Sequence, residues 1–440
     1  MTSARTPTTS LGAASLGAAP LGAASLGAAS LGAASLGATS LGATSLGAAS
    51  LGATSLGATV ARVDVGAIAA NVALLREGVQ VAGQPPRALM AIVKANGYGH
   101  GAVAAAIAAL AGGADWIGVA LPQEAVALRA AGITAPLLCW LWAPTSDIAQ
   151  ALAADVTVGV SSLEQLTAVL AADAGNGKPA HIHLKMDSGL GRGGASRWQW
   201  TDLVAAAAAA ENRGAVRVTG VMSHLGSAEV LDDPSVAEQL EIFRNAVRVA
   251  HTAGLEPEHV HLANSAATLM LPETYFTMVR CGLAIFGLDP LDPHGKSGRH
   301  GLKPAMSLRA PLALTKKVPT GHGVSYNFIF RTPRETVLAL VPLGYGDGIP
   351  RAASGHAEVW IGGRRYPVVG QIAMDQMVID LGPDPDPALV PGTEVVIFGS
   401  GDRGEPTAQD WADAAGTIDY EIVTRISARV GREYVGQDPR

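Results

Sequence analysis

The sequence predicts an α/β protein: a (β/α)8 barrel of the TIM type, a mostly β domain after it, and a low-complexity tail in front. Three observations carry that prediction. Short apolar runs alternate with alanine-rich helical stretches over roughly 230 residues, the spacing of a barrel built from repeated βα units. After about Gly301 the alternation is lost, and strand-like segments are separated by Gly- and Pro-rich turns. Ahead of both, residues 10–59 repeat Leu-Gly-Ala-Ala/Thr-Ser with a period of five, which suits neither a helix stripe nor a strand. The chain therefore divides into a tail over 1–57, a barrel over 58–300 and a β domain over 301–440.

Each repeat of the tail contains Gly, and the repeats carry no aromatic or charged side chain. Such a segment cannot build an ordinary core and is expected to be disordered, with a pentapeptide-type solenoid as the alternative. The barrel strands are expected at Leu89–Val93, Trp116–Ala120, Pro136–Leu141, Val156–Val160, His181–Met186, Val216–Ser223, His259–Leu262 and Met278–Ile285. Helices are expected between them, among them Gln123–Ala131, Leu163–Ala172 and Val236–Ala253. A doubly wound sheet is the alternative, but the GxGxxG that a dinucleotide fold wants after its first strand is missing. In the second domain the clearest strands are Thr336–Pro342, Glu358–Ile361 and Val395–Phe398.

Composition narrows the function. The 440 residues are 48% hydrophobic and 15% charged, with a formal net charge of -6. A nucleic-acid binder would normally show a basic balance, so none is expected as a partner. The cysteines, Cys139 and Cys281, are too far apart for a CxxC motif, and no disulfide framework is present. Gly and Ser interrupt the N-terminal segment too often for an export signal, and no apolar run is long enough to span a membrane. These features predict a soluble, cytoplasmic protein with no membrane partner.

In a barrel, chemistry gathers at the C-terminal ends of the strands. The first strand runs into Lys94-Ala95-Asn96-Gly97-Tyr98-Gly99-His100-Gly101. The fifth passes Lys185 and Asp187 to Gly189-Leu190-Gly191-Arg192, the sixth ends at His224, and the seventh at Asn264-Ser265. The eighth holds Arg280, followed by Cys281-Gly282-Leu283. Two lysines, two arginines and a histidine thus face one mouth, among Gly-rich backbone suited to phosphate, although the chain as a whole is negative. A lysine crowded by other cations loses proton affinity and becomes a nucleophile for an aldehyde.

The segment Ala91-Ile92-Val93-Lys94-Ala95-Asn96-Gly97-Tyr98-Gly99-His100-Gly101 resembles the cofactor-lysine signature of the alanine racemase family, pyridoxal-phosphate (PLP) enzymes of fold type III. The resemblance runs from about residue 60 to the C-terminus. It takes in the Lys185-to-Arg192 segment, His261-Leu-Ala-Asn-Ser265, Val279-Arg280-Cys-Gly282 and Gly323-Val-Ser-Tyr326. It also takes in Gly344-Tyr-Gly-Asp-Gly348, Met374-Asp375-Gln376 and Ile418-Asp-Tyr-Glu421.

The resemblance implies a racemase that interconverts L- and D-alanine by a two-base mechanism and supplies D-alanine for peptidoglycan. It makes Lys94 the Schiff-base lysine and the base on one face of the substrate Cα, with Tyr326 the base on the other. A proton lost from one face and regained on the other needs two such groups. In the family that tyrosine comes from the partner subunit, so a homodimer with shared sites is implied. Tyrosine in water titrates near 10, so the role needs a neighbour. By resemblance His224 bonds Tyr326, and Arg280 contacts His224 and the pyridine nitrogen. An arginine there has only donors, which leaves that nitrogen unprotonated and implies fewer side reactions such as transamination. Tyr98, Ser265, Gly282, Leu283 and Tyr420 are implied phosphate contacts, with Asn264 also on the cofactor. Arg192 is implied to hold the cofactor phenolic oxygen and the substrate carboxylate, with Met374 and Asp375 beside the substrate. Lys185 matches a lysine that some members carry as a carbamate; a bare amine and a carbamate stay equally open.

The chain departs from the family pattern at Gly370-Gln371-Ile372-Ala373-Met374-Asp375, where Gln371 and Ala373 replace an arginine and a cysteine. That bears on substrate breadth and rate more than on reaction type. A PLP-dependent basic amino-acid decarboxylase would want a carboxylate in place of Arg280 and a Cys-Asp pair. A non-catalytic PLP carrier would end near residue 290, whereas this chain continues through a second domain.

Overall fold

The computed structural model describes residues 59–172, 177–230, 232–292 and 300–436; the tail expected over 1–57 lies outside them. Strand β1 (Val60–Asp64) opens the described chain. Eight parallel strands follow: β2 (Ala88–Ile92), β3 (Trp116–Val119), β4 (Leu137–Cys139), β5 (Val156–Val160), β6 (Ala180–Lys185), β7 (Val216–Met222), β8 (His259–His261) and β9 (Met278–Cys281). Neighbours pair in sequence order from β2 to β8, and β9 pairs with β2. The ring closes between β8 and β9 through single backbone bonds, Thr277 N–H to Val260 O at 3.1 Å and Arg280 N–H to Ala263 O at 3.0 Å. The predicted (β/α)8 barrel is the observed one.

Both faces of these strands are covered, which is why they read as continuous apolar runs. Every residue of β3 and β5 is buried. Glycine makes room inside: a Cβ on Gly118 would lie 2.5 Å from Ile92 Cδ1, and one on Gly159 2.9 Å from Trp140 Cβ. The predicted helices are present as Pro122–Ala130, Leu163–Ala171 and Pro234–Thr252. The Ser162 side chain caps the second by accepting the Gln165 N–H at 3.2 Å.

The last barrel strand stops four residues before the expected Ile285. Ser265 Oγ accepts the N–H groups of Gly282 and Ala284 at 3.0 and 3.3 Å, and Leu283–Phe286 winds into a 3-10 turn. Those donors leave the ladder, so the strand cannot continue.

The second region is a nine-stranded sheet. Its order is Leu314–Val318, Thr336–Val341, Met377–Gly382, Arg364–Val369, Glu358–Ile361, Glu394–Phe398, Met306–Pro311, β1 and Gly431–Val435. Strand β1 thus lies in this sheet, antiparallel to Met306–Pro311 and parallel to Gly431–Val435, before its chain enters the barrel. A separate two-stranded hairpin, Gly323–Val324 with Phe330–Arg331, carries Tyr326 near its tip. The helix Asp419–Thr424 packs back on the barrel mouth, where a Cβ on Gly99 would lie 2.2 Å from Val423 O.

Candidate active site

Lys94 leaves β2 on an unusual turn. Ala95, Asn96, Gly97 and Tyr98 all have left-handed φ values of 52°, 55°, 62° and 50°. That region costs about 1–2 kcal/mol for each residue with a Cβ, so the surroundings must hold it. Asn96 Oδ1 accepts the Ala102 N–H at 3.0 Å, and Glu124 Oε1 accepts the Ala95 N–H at 2.6 Å. His100 Nδ1 lies 3.0 Å from both Gly97 O and Tyr98 O, which makes it the donor. Its ring stacks on Phe286 at 4.3 Å, and burial pulls its pKa down to about 4, so it stays neutral.

One cavity of about 650 Å³ collects the predicted barrel residues: Lys94, Tyr98, Lys185, Arg192, His224, Asn264, Ser265, Arg280, Gly282, Leu283, and Tyr420 from the second region. Burial lowers the Lys94 pKa, Arg192 lowers it further, Glu124 opposes the change, and Arg280 adds to it. Lys185 is pulled down to about 8 by burial, then by Arg192 and Arg280. Its Nζ donates to Gly193 O at 2.6 Å.

Arg280 is buried, and burial brings its pKa down to about 10, which leaves it charged near neutral pH. Its acceptors are neutral: Nη1 reaches His261 O at 2.9 Å and His261 Nδ1 at 3.2 Å. Nη2 reaches Ser223 O at 2.7 Å, His224 Nδ1 at 3.2 Å and Leu262 O at 3.2 Å. Arginine only donates, so both histidines accept on Nδ1 and carry their protons on Nε2. Burial, then Arg280, Arg192, Lys94 and Lys185, pushes the His224 pKa down to about 2. His224 is therefore a neutral donor through Nε2. His261 Nε2 in turn meets His183 Nδ1 at 2.9 Å, which places the His183 proton on a buried Nε2 with no hydrogen-bond partner among the described residues.

In the cavity wall the Tyr98 and Tyr420 rings lie 6.3 Å apart. Burial raises both hydroxyl pKa values, so both remain donors. Gly282 has to be glycine there, because a Cβ would sit 2.4 Å from Tyr98 Oη. The hydroxyls of Tyr98, Ser265 and Tyr420 thus line the same cavity as the cations Lys94, Lys185, Arg192 and Arg280.

Three predicted residues are absent from this cavity wall. Tyr326, Met374 and Asp375 lie in the second region and are exposed, Tyr326 by 66% and Met374 by 53%. Sequence reasoning gave no role to Glu124, Trp140, Glu229 or Asp419. Glu124 had a readable signal as the third residue of a helix, where a carboxylate caps. Trp140 and Glu229 sit on loops after strands and had none. Burial raises the Asp419 pKa to about 6.

Comparison with known proteins agrees with this geometry along the chain. The family of alanine racemase N-terminal domains matches residues 63–290, and that of alanine racemase C-terminal domains matches residues 305–434. An alanine racemase of Streptomyces coelicolor is 51% identical over 383 residues, 86% of this chain and 96% of the relative. The crystal structure of alanine racemase from D-cycloserine-producing Streptomyces lavendulae is 50% identical with a TM-score of 0.83, covering 87% of this chain and 98% of that one. That of Corynebacterium glutamicum alanine racemase is 36% identical with a TM-score of 0.74, over 86% of this chain and 100% of that one. With both domain families matched in order and about half of the aligned residues identical in the two Streptomyces relatives, the chain belongs to the alanine racemase family.

Proposed function

We propose that the chain interconverts L- and D-alanine with PLP, in a homodimer whose two copies share each active site, and that it supplies D-alanine for peptidoglycan. The observation that carries this reading is one cavity holding a lysine of lowered pKa and a buried arginine that has no carboxylate partner among the described residues. The residues present fit PLP. Tyr98, Tyr420, Ser265 and the backbone at Gly282 and Leu283 would hold its phosphate, and Asn264 stands beside them. Arg192 would meet its phenolic oxygen. Arg280, with Nε taking no protein acceptor among the described residues, would meet the ring nitrogen. Bound PLP supplies the electron sink that makes the substrate Cα–H acidic.

The chain's own groups do the rest. Lys94 moves the proton on one face of Cα, because a lysine that gives up its proton readily can act as a base near neutral pH. Tyr326, presented by the second copy, moves it on the other face and is held by His224 Nε2–H. Arg192 pairs with the substrate carboxylate, and Met374 and Asp375 of the second copy close the substrate end. Lys185 lies on the Arg192 side: as an amine it donates to Gly193 O, and as a carbamate it would offer Arg192 an anion.

The test is conversion of L-alanine to D-alanine by purified protein with PLP, with Lys94→Ala alongside. Turnover in the parent and at least a thousandfold loss in the variant are expected, on the order of what a missing catalytic base and cofactor anchor remove. Carbon dioxide release instead would point to a decarboxylase, and tight PLP binding without turnover to a carrier.

A further inference from the structure

Glu124 divides its two carboxylate oxygens between two elements. Oε2 accepts the N–H groups of Ala120 and Leu121, both at 3.0 Å, and so caps the start of Pro122–Ala130, in which Glu124 is the third residue. Capping needs only that oxygen. Oε1 reaches across 29 residues of chain to accept the Ala95 N–H at 2.6 Å.

Ala95 follows Lys94 directly and is the first residue of the left-handed turn. A backbone N–H bonded to an ionised carboxylate is held about twice as strongly as by a neutral acceptor. The bond therefore joins the strained turn to the end of the neighbouring strand β3. The charges acting on the Lys94 amine are Arg192 and Arg280, which oppose its protonation, and Glu124, which favours it. The Tyr98 ring stands 5.9 Å from its Nζ, and Lys185 and His224 share the cavity wall.

We propose that Glu124 is a positioning residue for Lys94: its carboxylate ties the left-handed turn to the end of β3 and supplies a counter-charge to the cations around the lysine. This rests on Lys94 being the cofactor lysine. Ordinary helix capping uses the Ala120 and Leu121 bonds alone, whereas this role uses the Ala95 bond and the charge.

The experiment compares holoenzymes of the parent, Glu124→Gln, Glu124→Asp and Lys94→Ala. Three quantities are read: kcat and KM for L-alanine against pH, the rate of cofactor loss from the visible absorbance, and the thermal midpoint. Glutamine keeps one acceptor oxygen and no charge. Without the anion the lysine proton is held less tightly, so the acid limb of kcat should move down by about half to one pH unit. Cofactor loss should quicken about tenfold as the turn loosens. Aspartate keeps the charge but is one methylene too short to bridge both elements, so the limb should stay in place while cofactor loss still quickens.

An unshifted limb with parental cofactor retention in Glu124→Gln would overturn the proposal. So would a lowered midpoint with kcat reduced equally at every pH, the mark of a helix cap and nothing more. If Glu124→Gln does not fold, Glu124→Asp decides: faster cofactor loss at an unshifted limb supports the role, and parental retention overturns it. A Lys94→Ala protein that turns over and holds PLP like the parent would sink the cofactor-lysine reading itself, an outcome separate from any Glu124 result.

Discussion

Arg280 keeps its charge inside the barrel although its hydrogen-bond acceptors among the described residues are carbonyls and imidazoles alone. An unpaired buried cation is costly, and what offsets the cost here is the number of good acceptors converging on one guanidinium. The arrangement forces His224 and His261 into one tautomer each. The adjacent Cys281 is fully buried and its thiol is pushed up to about 12 by desolvation, as is that of Cys139. Only a thiolate is a good nucleophile, so neither is reactive in the folded state. Ala373 also stands where the family pattern carries a cysteine near the substrate. N-ethylmaleimide should therefore leave racemisation unchanged, and a thiol titration should find no reactive group until the protein is unfolded, when both react. Rapid inactivation protected by substrate would contradict this.

At the scale of elements, the turn Lys94–Gly101 shows what the sequence made legible. The lysine and its Gly-Tyr-Gly neighbours were readable because a buried strand and glycines flank them, and the barrel strands because long apolar runs alternate with helices. The left-handed course of Ala95, Asn96 and Tyr98 was not readable, since alanine and tyrosine do not choose that region; distant contacts impose it. The sheet membership of β1 was hidden for a related reason: its partners are more than 240 residues away, and no local period reports them. The apolar run Met278–Ile285 outlasts the strand Met278–Cys281 because Ser265, the residue that diverts its donors, belongs to another strand end. Gly99 tests how tightly the turn is seated. Its φ is +82°, and an added Cβ would lie 2.2 Å from Val423 O. Arg432 Nε also holds its carbonyl at 3.0 Å. Gly99→Ala should cost about 3 kcal/mol or more, since both strain and overlap act on a backbone that cannot move away. Thermal unfolding should show that loss together with lower cofactor occupancy; an unchanged midpoint would mean the helix Asp419–Thr424 yields easily.

Across the whole molecule, the residues the family pattern assigns to catalysis fall into two groups that the fold keeps apart. Lys94, Arg192, His224, Arg280 and Tyr420 line one cavity, whereas Tyr326, Met374 and Asp375 lie exposed in the second region. The hairpin around Tyr326 is no loose end. Ser325, Asn327 and Phe328 have φ values of 57°, 58° and 47°, and Ser325 Oγ donates to Gln371 O at 2.6 Å. Strain of that kind is kept where a side chain must be presented in one direction. Apolar Phe328 and Ile329 beside it are exposed by 57% each, a surface that asks for cover. A two-fold dimer would satisfy both features by placing each copy's Tyr326 over the other's Lys94 cavity. Mixing decides it. Lys94→Ala and Tyr326→Ala proteins should each be inactive alone. Unfolded together and refolded, they should recover about a quarter of parental activity, because half the dimers are mixed and each mixed dimer has one intact site of two. Activity that stays at the level of the separate variants, in a mixture shown to exchange subunits, would mean that Lys94 and Tyr326 serve the same site from the same copy or do not serve it together at all.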